Sequence, residues 1–251
     1  MENSPAKTLL YQDLLGQKDE AVKEMFKQGL HWGHKTSRWH PHIKPFLHGT
    51  HRNVHIFDLN KTYDYFLEAL EYLKTIAAQK KIVLFVGTRG QEKEFVRELC
   101  QELGAPGVWE EWVGGMFTNF KEVSKRVKYF KDLEEKEKSG ELEKYTKKER
   151  HDFAKEYMKM AKKWDGIKSL DKLPDVVFLT NIYENALTLK EARRMNIPVV
   201  AIIDSNTDPT LVTYPIPAND DAITSIRYIL GKVKEAIQKG RDNASQEIPT
   251  K

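Results

Sequence analysis

The chemistry-bearing residues of this chain are unevenly spread. Seven of its eight histidines, His31, His34, His40, His42, His48, His51 and His55, fall within 25 residues, leaving His151 alone. The HxxH spacing of His31 and His34 and the HxH spacing of His40 and His42 are compatible with zinc ligation, so these four are the metal candidates. No cysteine accompanies them and the surrounding loop fixes no tetrahedral arrangement, so no metal site is assigned. A second group is acidic. Asp204, Asp208, Asp220 and Asp221 could supply a metal or general-base cluster of the kind used in phosphoryl transfer. The alternative is structural: Asp208 precedes Pro209 in a turn, and Asp220 and Asp221 occupy a helix start, where the dipole favours anions. The third group is Gly87-Thr88-Arg89-Gly90, which follows a strand pattern and precedes a helix. It lacks both GxGxxG and GxxxxGK[ST], the spacings that cradle phosphates. These features define one functional hypothesis, a nucleotide-binding enzyme using Asp204 and Asp208 with its nucleotide at Gly87.

The histidine-rich stretch carries a different signal in its other residues. Between positions 23 and 62 there are seven Lys/Arg (Lys23, Lys27, Lys35, Arg38, Lys44, Arg52, Lys61) against two acids, Glu24 and Asp58. Trp32 and Trp39 are interleaved with them. Cations that neutralise phosphate, beside flat rings on which bases stack, are the footprint of an RNA contact. Plain packing is the competing role for the tryptophans. The whole-chain balance of 41 basic and 37 acidic residues, a net charge of +4, argues neither way.

The elements that would position these residues can be read from periodicity. KIVLFVG (81–87), DVVFLT (175–180) and PVVAIID (198–204) are short apolar runs without polar alternation, as expected of strands buried on both faces. Helix-patterned segments separate them, which predicts right-handed βαβ crossovers and an open parallel sheet. The loops to search for function then follow the strands, at 87–91, 181–184 and 204–208.

Asp19 is the expected cap of a first short helix whose Ala21, Val22, Met25 and Phe26 share a face, with Gly29 closing it. Residues 30–55 read as an extended loop or hairpin turning at 48–52. Asn60 would cap a helix with a broad apolar stripe from Tyr63 to Ala77. A helix is expected over 91–103, a brief strand at 107–109, a helix over 184–196, a short edge strand at 211–214, and a last helix from Asn219 to about Lys239.

Residues 118–167 are the most legible insertion. Phe120, Val123, Val127 and Phe130, then Phe153, Tyr157, Met160, Trp164 and Ile167, recur at spacings of three and four, the pattern of coiled-coil seams. Ser139-Gly140 offers a stop, and Thr146 with Glu149 a capping box. The expected organisation is an α/β RNA-binding core over 1–117 and 168–240, an antiparallel coiled-coil hairpin over 118–167, and a flexible tail over 241–251, with residues 1–18 as a mobile lead-in. Cys100 is the one cysteine, so an internal disulfide is excluded and a reducing compartment expected. No apolar run reaches membrane-spanning length and no leader pattern is evident, so no membrane partner is expected.

Seven blocks, GLHWGHKTSRWHPHIKPF, HIFDLNKT, LFVGTRGQ, WVGGMFTNF, GIKSLDKLPDVVF, EARRMNIPVVAIIDSNTDP and YPIPANDDAITSI, stand in the order found in the S-two (uS-two) family of small-subunit ribosomal proteins. Over about residues 25–240 the chain resembles the bacterial form of that family. The resemblance implies a flavodoxin-like, three-layer α/β/α fold with five parallel strands, an inserted coiled-coil hairpin, no catalysis and no cofactor. It implies a structural place in the small ribosomal subunit, against 16S-type ribosomal RNA near the junction of head and body. Neighbouring small-subunit proteins, and the large RNA-binding protein that bacterial relatives tether, are the further partners implied. The location implied is a cytoplasmic ribosome, with an organellar one left open.

Carried over by motif, the RNA-facing residues are His31, Gly33, His34, Thr36, Arg38, Trp39 and Lys44, then Thr88 and Arg89, then Trp112, Gly114, Gly115, Thr118 and Asn119. Charge adds Lys35 and Arg52. The chain departs from the family pattern at Glu111, where arginine is usual, at Gly90, in the second basic place of the GTRGQ loop, and in the register of Arg52-Asn53.

Overall fold

A computed structural model describes residues 18–90 and 92–246. The lead-in over 1–17, Gln91 at the end of the GTRGQ loop, and residues 247–251 of the expected tail lie outside the described residues. Among those described, no helix is long and apolar enough to cross a membrane.

Residues 18–27 are helical (α1), so Asp19 sits within the helix rather than capping it. Gly29 ends it at φ +78°, a conformation that favours glycine. Met25 is buried as expected, but Phe26 points outward and is 60% exposed.

The basic stretch is more ordered than its prolines and glycines suggest. It forms β1 (Trp32–Lys35), a 3-10 turn (Pro41–Phe46), β2 (Leu47–His51) and β3 (Val54–Phe57). The three strands make an antiparallel ribbon in the order β1-β3-β2. Its tight turn is not 48–52 but Arg52-Asn53. Both residues have positive φ, 49° and 62°, as a two-residue hairpin turn matching strand twist requires. Helix α2 (Leu59–Ala78) follows, capped by Asp58 rather than Asn60: the Asp58 carboxylate accepts from the Asn60 N–H at 3.1 Å.

The main sheet contains β4 (Val83–Val86), β5 (Gly107–Val108), β6 (Val176–Leu179), β7 (Val199–Ile203) and β8 (Tyr214–Pro217). They lie in the order β5-β4-β6-β7-β8, and every pair is parallel. This is the flavodoxin-like doubly wound order. Every residue of β4, β6 and β7 is buried. Alternation sends Val83, Phe85, Val176 and Phe178 into one core, shared with α2, α3 (Glu92–Leu103) and α7 (Ile223–Gln246). Leu84, Val86, Val177 and Leu179 enter a second core on the opposite face. Each such side chain contributes about 1.5–3 kcal/mol by leaving water, which fixes the strand register.

The last strand lies further along than 211–214. Asp208 caps a 3-10 turn over Pro209–Leu211, and β8 begins at Tyr214. Two prolines, Pro215 and Pro217, fall within β8, which is tolerated because this strand is the sheet's edge.

Helix α4 (Phe120–Lys138) and helix α5 (Lys147–Trp164) come before β6, and α6 (Ala186–Arg194) lies between β6 and β7. Gly140 takes φ +74° between α4 and α5, and Thr146 with Glu149 forms the reciprocal capping box. Val123, Val127, Phe130, Trp164 and Ile167 are buried in the second core, so the near ends of α4 and α5 are rooted on the sheet. Phe130 and Tyr157 stack with centroids 5.2 Å apart. At the other end of the chain, α7 runs past the expected stop at Lys239 to Gln246, moving the tail boundary from 241. At Gly240 a Cβ would meet the Lys74 carbonyl oxygen, so α7 and α2 lie in close contact there.

Candidate nucleic-acid interface

The carboxyl ends of β4, β6, β7 and β8 meet in a rim of charged groups. Arg89 hydrogen-bonds Asp221 through one terminal nitrogen. Its other terminal nitrogen lies 3.8 Å from Asp220, and its Nε 3.9 Å from Glu92. His34 places Nδ1 2.9 Å from Asp204 and Nε2 3.5 Å from Asp221. Asp204 also accepts from the Ser205 hydroxyl at 3.0 Å and the Asp220 N–H at 3.3 Å. Asn181 donates to Asp220 at 2.7 Å, and the Thr180 hydroxyl to Glu92 at 2.6 Å. Thr88 donates to Asn185 at 3.1 Å.

The titration directions follow from this crowding. Burial, then repulsion from Asp204 and Asp221, pushes the Asp220 carboxyl well above its usual range. Burial raises Glu92 against the opposing Thr180 hydrogen bond. The contact with Asp204 holds His34 above an ordinary imidazole, although burial works the other way.

Beside this rim opens a cleft of about 620 Å³ whose lining includes His34, Arg38, Trp39, Arg89 and Tyr183. Of its two arginines, Arg89 is committed to carboxylates, whereas Arg38, among the described residues, is not. Asp204 and Asp208 are not brought together: Asp204 faces His34, whereas Asp208 faces His42 at 3.1 Å. The Asp204–Asp208 pairing of the enzyme hypothesis is therefore not formed, whereas Asp204, Asp220 and Asp221 do gather at the rim.

The WVGGMFTN turn is also held inward, by a residue that sequence reasoning missed. Glu191 on α6 is buried. One of its oxygens accepts from Gly115 N–H at 2.7 Å and the Trp112 indole at 3.3 Å. The other accepts from Phe117 N–H at 2.9 Å, Thr118 N–H at 3.2 Å and the Thr118 hydroxyl at 3.3 Å. Burial opposes ionisation of Glu191, but the hydrogen bonds from Phe117, Gly115 and Thr118 prevail and hold its carboxyl below the usual range. Gly115 sits at φ +90°, as the loop's wrap around this carboxylate requires. Gly114, Thr118 and Asn119 are exposed, and Asn119 bonds back through its N–H to Gly115. A polar residue among the buried Thr188, Leu189 and Ala192 was the available signal for Glu191.

The ribbon is arranged differently. Lys35, Arg38, Lys44 and Arg52 are exposed, and among the described residues their side chains enter no hydrogen bond or ion pair. Trp39 leans on His55, centroids 5.3 Å apart, and keeps 41% of its surface exposed. Trp32 is equally exposed beside His51.

Other motif residues hold the ribbon to the core. A Cβ on Gly33 would come 2.8 Å from the Ser205 hydroxyl, and His34 N–H donates to that same oxygen at 2.7 Å. Thr36 N–H closes on Asn53 at 2.9 Å. His31 is buried against Phe26, ring centroids 4.2 Å apart, and burial lowers its pKa. The four metal candidates therefore do not converge: His31 packs in that stack, His34 turns to Asp204, and His40 and His42 approach Asp208.

The fold is a doubly wound sheet whose rim charges face one another, carrying a ribbon whose cations pair with no acid among the described residues. The family model for ribosomal protein S2 matches residues 25–240, and the chain belongs to that family. Small ribosomal subunit protein uS2 of Helicobacter acinonychis (strain Sheeba) is 40% identical over 227 residues, 90% of this chain and 92% of its own length. The uS2 proteins of Dictyoglomus thermophilum and Coprothermobacter proteolyticus are 40% and 39% identical, covering 90% and 88% of this chain and 92% and 82% of their own lengths.

Proposed function

We propose that this chain is a structural constituent of the small ribosomal subunit that grips ribosomal RNA through the ribbon spanning residues 32–57. Family membership supports the ribosomal role. The observation that carries the RNA contact is the set of four exposed cations, Lys35, Arg38, Lys44 and Arg52, unpaired among the described residues, beside half-exposed Trp32 and Trp39. Cations free of carboxylate partners can neutralise phosphates and release counterions, and the indoles offer faces for unstacked bases. Gly33, His34, Thr36, Thr88, Arg89, Trp112, Gly115 and Thr118 act chiefly by holding those loops in shape, while Gly114 and Asn119 lie open to contact.

The RNA is 16S-type, near the junction of head and body, in a cytoplasmic or organellar ribosome. Residues 118–167 serve as a coiled-coil arm distinct from the core and present a second surface to neighbouring ribosomal proteins, including the large tethered RNA-binding one. No catalytic step is assigned. The test is sedimentation: the chain should travel with small subunits in a gradient and leave them at high salt. Its absence from that peak, or release insensitive to salt, would overturn the reading.

A further inference from the structure

We infer that His40, His42 and Asp208 form a site for a borderline transition cation such as Zn²⁺, which clips the basic ribbon to the loop after β7. His42 Nδ1 lies 3.1 Å from one Asp208 oxygen, and His40 Nε2 3.9 Å from the other. The ligand atoms of the three residues all fall within 4.8 Å of one another. Tetrahedral zinc with bonds of about 2.0–2.2 Å separates its ligands by roughly 3.3 Å, and His42 is near that spacing from the Asp208 oxygen that Thr210 also holds, while His40 faces the other oxygen. The His40 side must close by a fraction of an ångström to somewhat over one, a shift within reach of side-chain torsions.

The surroundings are those of a built site. One Asp208 oxygen is held by Thr210 N–H at 3.0 Å and the Thr210 hydroxyl at 2.8 Å, which fixes the carboxylate plane and leaves the second oxygen facing His40. Pro41 separates the two imidazoles and Pro209 follows the carboxylate, restricting both backbones where each enters a 3-10 turn. His40 N–H donates to the Ser205 carbonyl at 2.8 Å, tying the segment to the core before any ion binds. His40 Nδ1 accepts a long hydrogen bond, 3.3 Å, from His42 N–H. Ligation through Nε2 moves the ring proton to Nδ1 and gives up that bond.

Two imidazoles with one carboxylate select zinc, nickel or cobalt over magnesium. The His42 side chain is 60% exposed, leaving an entry path and a fourth position for water. An ion here links residues 166 apart in sequence, so binding restrains the ribbon that carries Lys44.

The test uses the full-length, RNA-free protein, titrated with Zn²⁺ against a colorimetric chelator, with thermal unfolding followed with and without Zn²⁺. Wild type should take up zinc and unfold at higher temperature when it is present. His42→Ala and His42→Gln should each weaken one binding equivalent by about tenfold or more and lose the thermal shift. His42 is surface-exposed, and circular dichroism would verify that both variants fold. His34→Ala, which removes the imidazole beside Asp204 and Asp221, should keep that equivalent. Unchanged affinity in both His42 variants, loss on His34→Ala alone, or no uptake by wild type would each overturn the proposal.

Discussion

The sheet rim and the ribbon use similar residue types to opposite ends. At the rim, Arg89 faces Asp221, Asp220 and Glu92, and His34 faces Asp204 and Asp221, so cationic character is consumed internally. On the ribbon, Lys35, Arg38, Lys44 and Arg52 are exposed and, among the described residues, pair with no acid. A motif residue can thus serve an RNA interface in two ways, by touching phosphate or by shaping the backbone that does. The difference lies in where the nearest carboxylate sits.

The sharpest way to break the comparison is at Glu191. Glu191→Ala removes the acceptor of five donors in the Trp112–Thr118 turn, one of them buried and four partly buried. Leaving such groups unpaired should cost about 3 kcal/mol or more in urea unfolding. A loss below about 1 kcal/mol would mean that the turn is held by packing alone.

Arg89→Ala comes next, because it leaves Asp220 and Glu92 with less compensation. Arg89 is about one-third exposed, so solvent screening limits the expected loss of stability to about 1–2 kcal/mol, with little change in RNA affinity. A large loss of RNA affinity in a variant that remained folded would place Arg89 among the contacting residues.

Trp39→Ala is a test on the ribbon side. Lost stacking should weaken binding to small-subunit RNA by about 1–2 kcal/mol, measured by filter retention, while leaving the salt slope unchanged because no charge is removed. Unaltered affinity would assign Trp39 to packing against His55.

The smallest effect is a pH dependence at His34. Its folded pKa is raised, so its stabilisation is complete below the unfolded value of about 6.5 and lost as pH rises through the folded value. Wild type should therefore exceed His34→Gln in stability by more at pH 5.5 than at pH 8. A difference that stayed level or grew with pH would contradict the Asp204 contact.

Much of the fold was legible because buried parallel strands are nearly pure apolar runs: 81–87, 175–180 and 198–204 contain β4, β6 and β7. The Thr146–Glu149 box was legible because capping is local chemistry. What escaped was non-local or weakly patterned. Strands β1 and β2 carry histidine, glycine and threonine rather than alternating apolar residues, so the stretch read as an extended loop or hairpin and its three-stranded order was missed. The turn at Arg52-Asn53 depends on positive φ without a glycine, and β8 contains prolines that ordinarily argue against a strand.

For the site, charge counting found the exposed cations. It could not reveal that Arg89, Thr88 and Trp112 have internal partners, because Asp221, Asn185 and Glu191 lie 132, 97 and 79 residues away in sequence. The buried Glu191 shows the limit most clearly, since its role depends on a loop folded around it from another part of the chain.

The most direct measurement is the salt dependence of binding to small-subunit ribosomal RNA, compared between the Lys35/Arg38/Lys44/Arg52→Ala variant and Arg89→Ala. Each phosphate that is no longer neutralised should lower the log–log slope by about one unit. The expected result is a slope reduced by about 3–4 units in the ribbon variant and by less than one in Arg89→Ala. Equal slopes for the ribbon variant and wild type, with the reduction appearing in Arg89→Ala, would contradict the assignment of RNA binding to the ribbon.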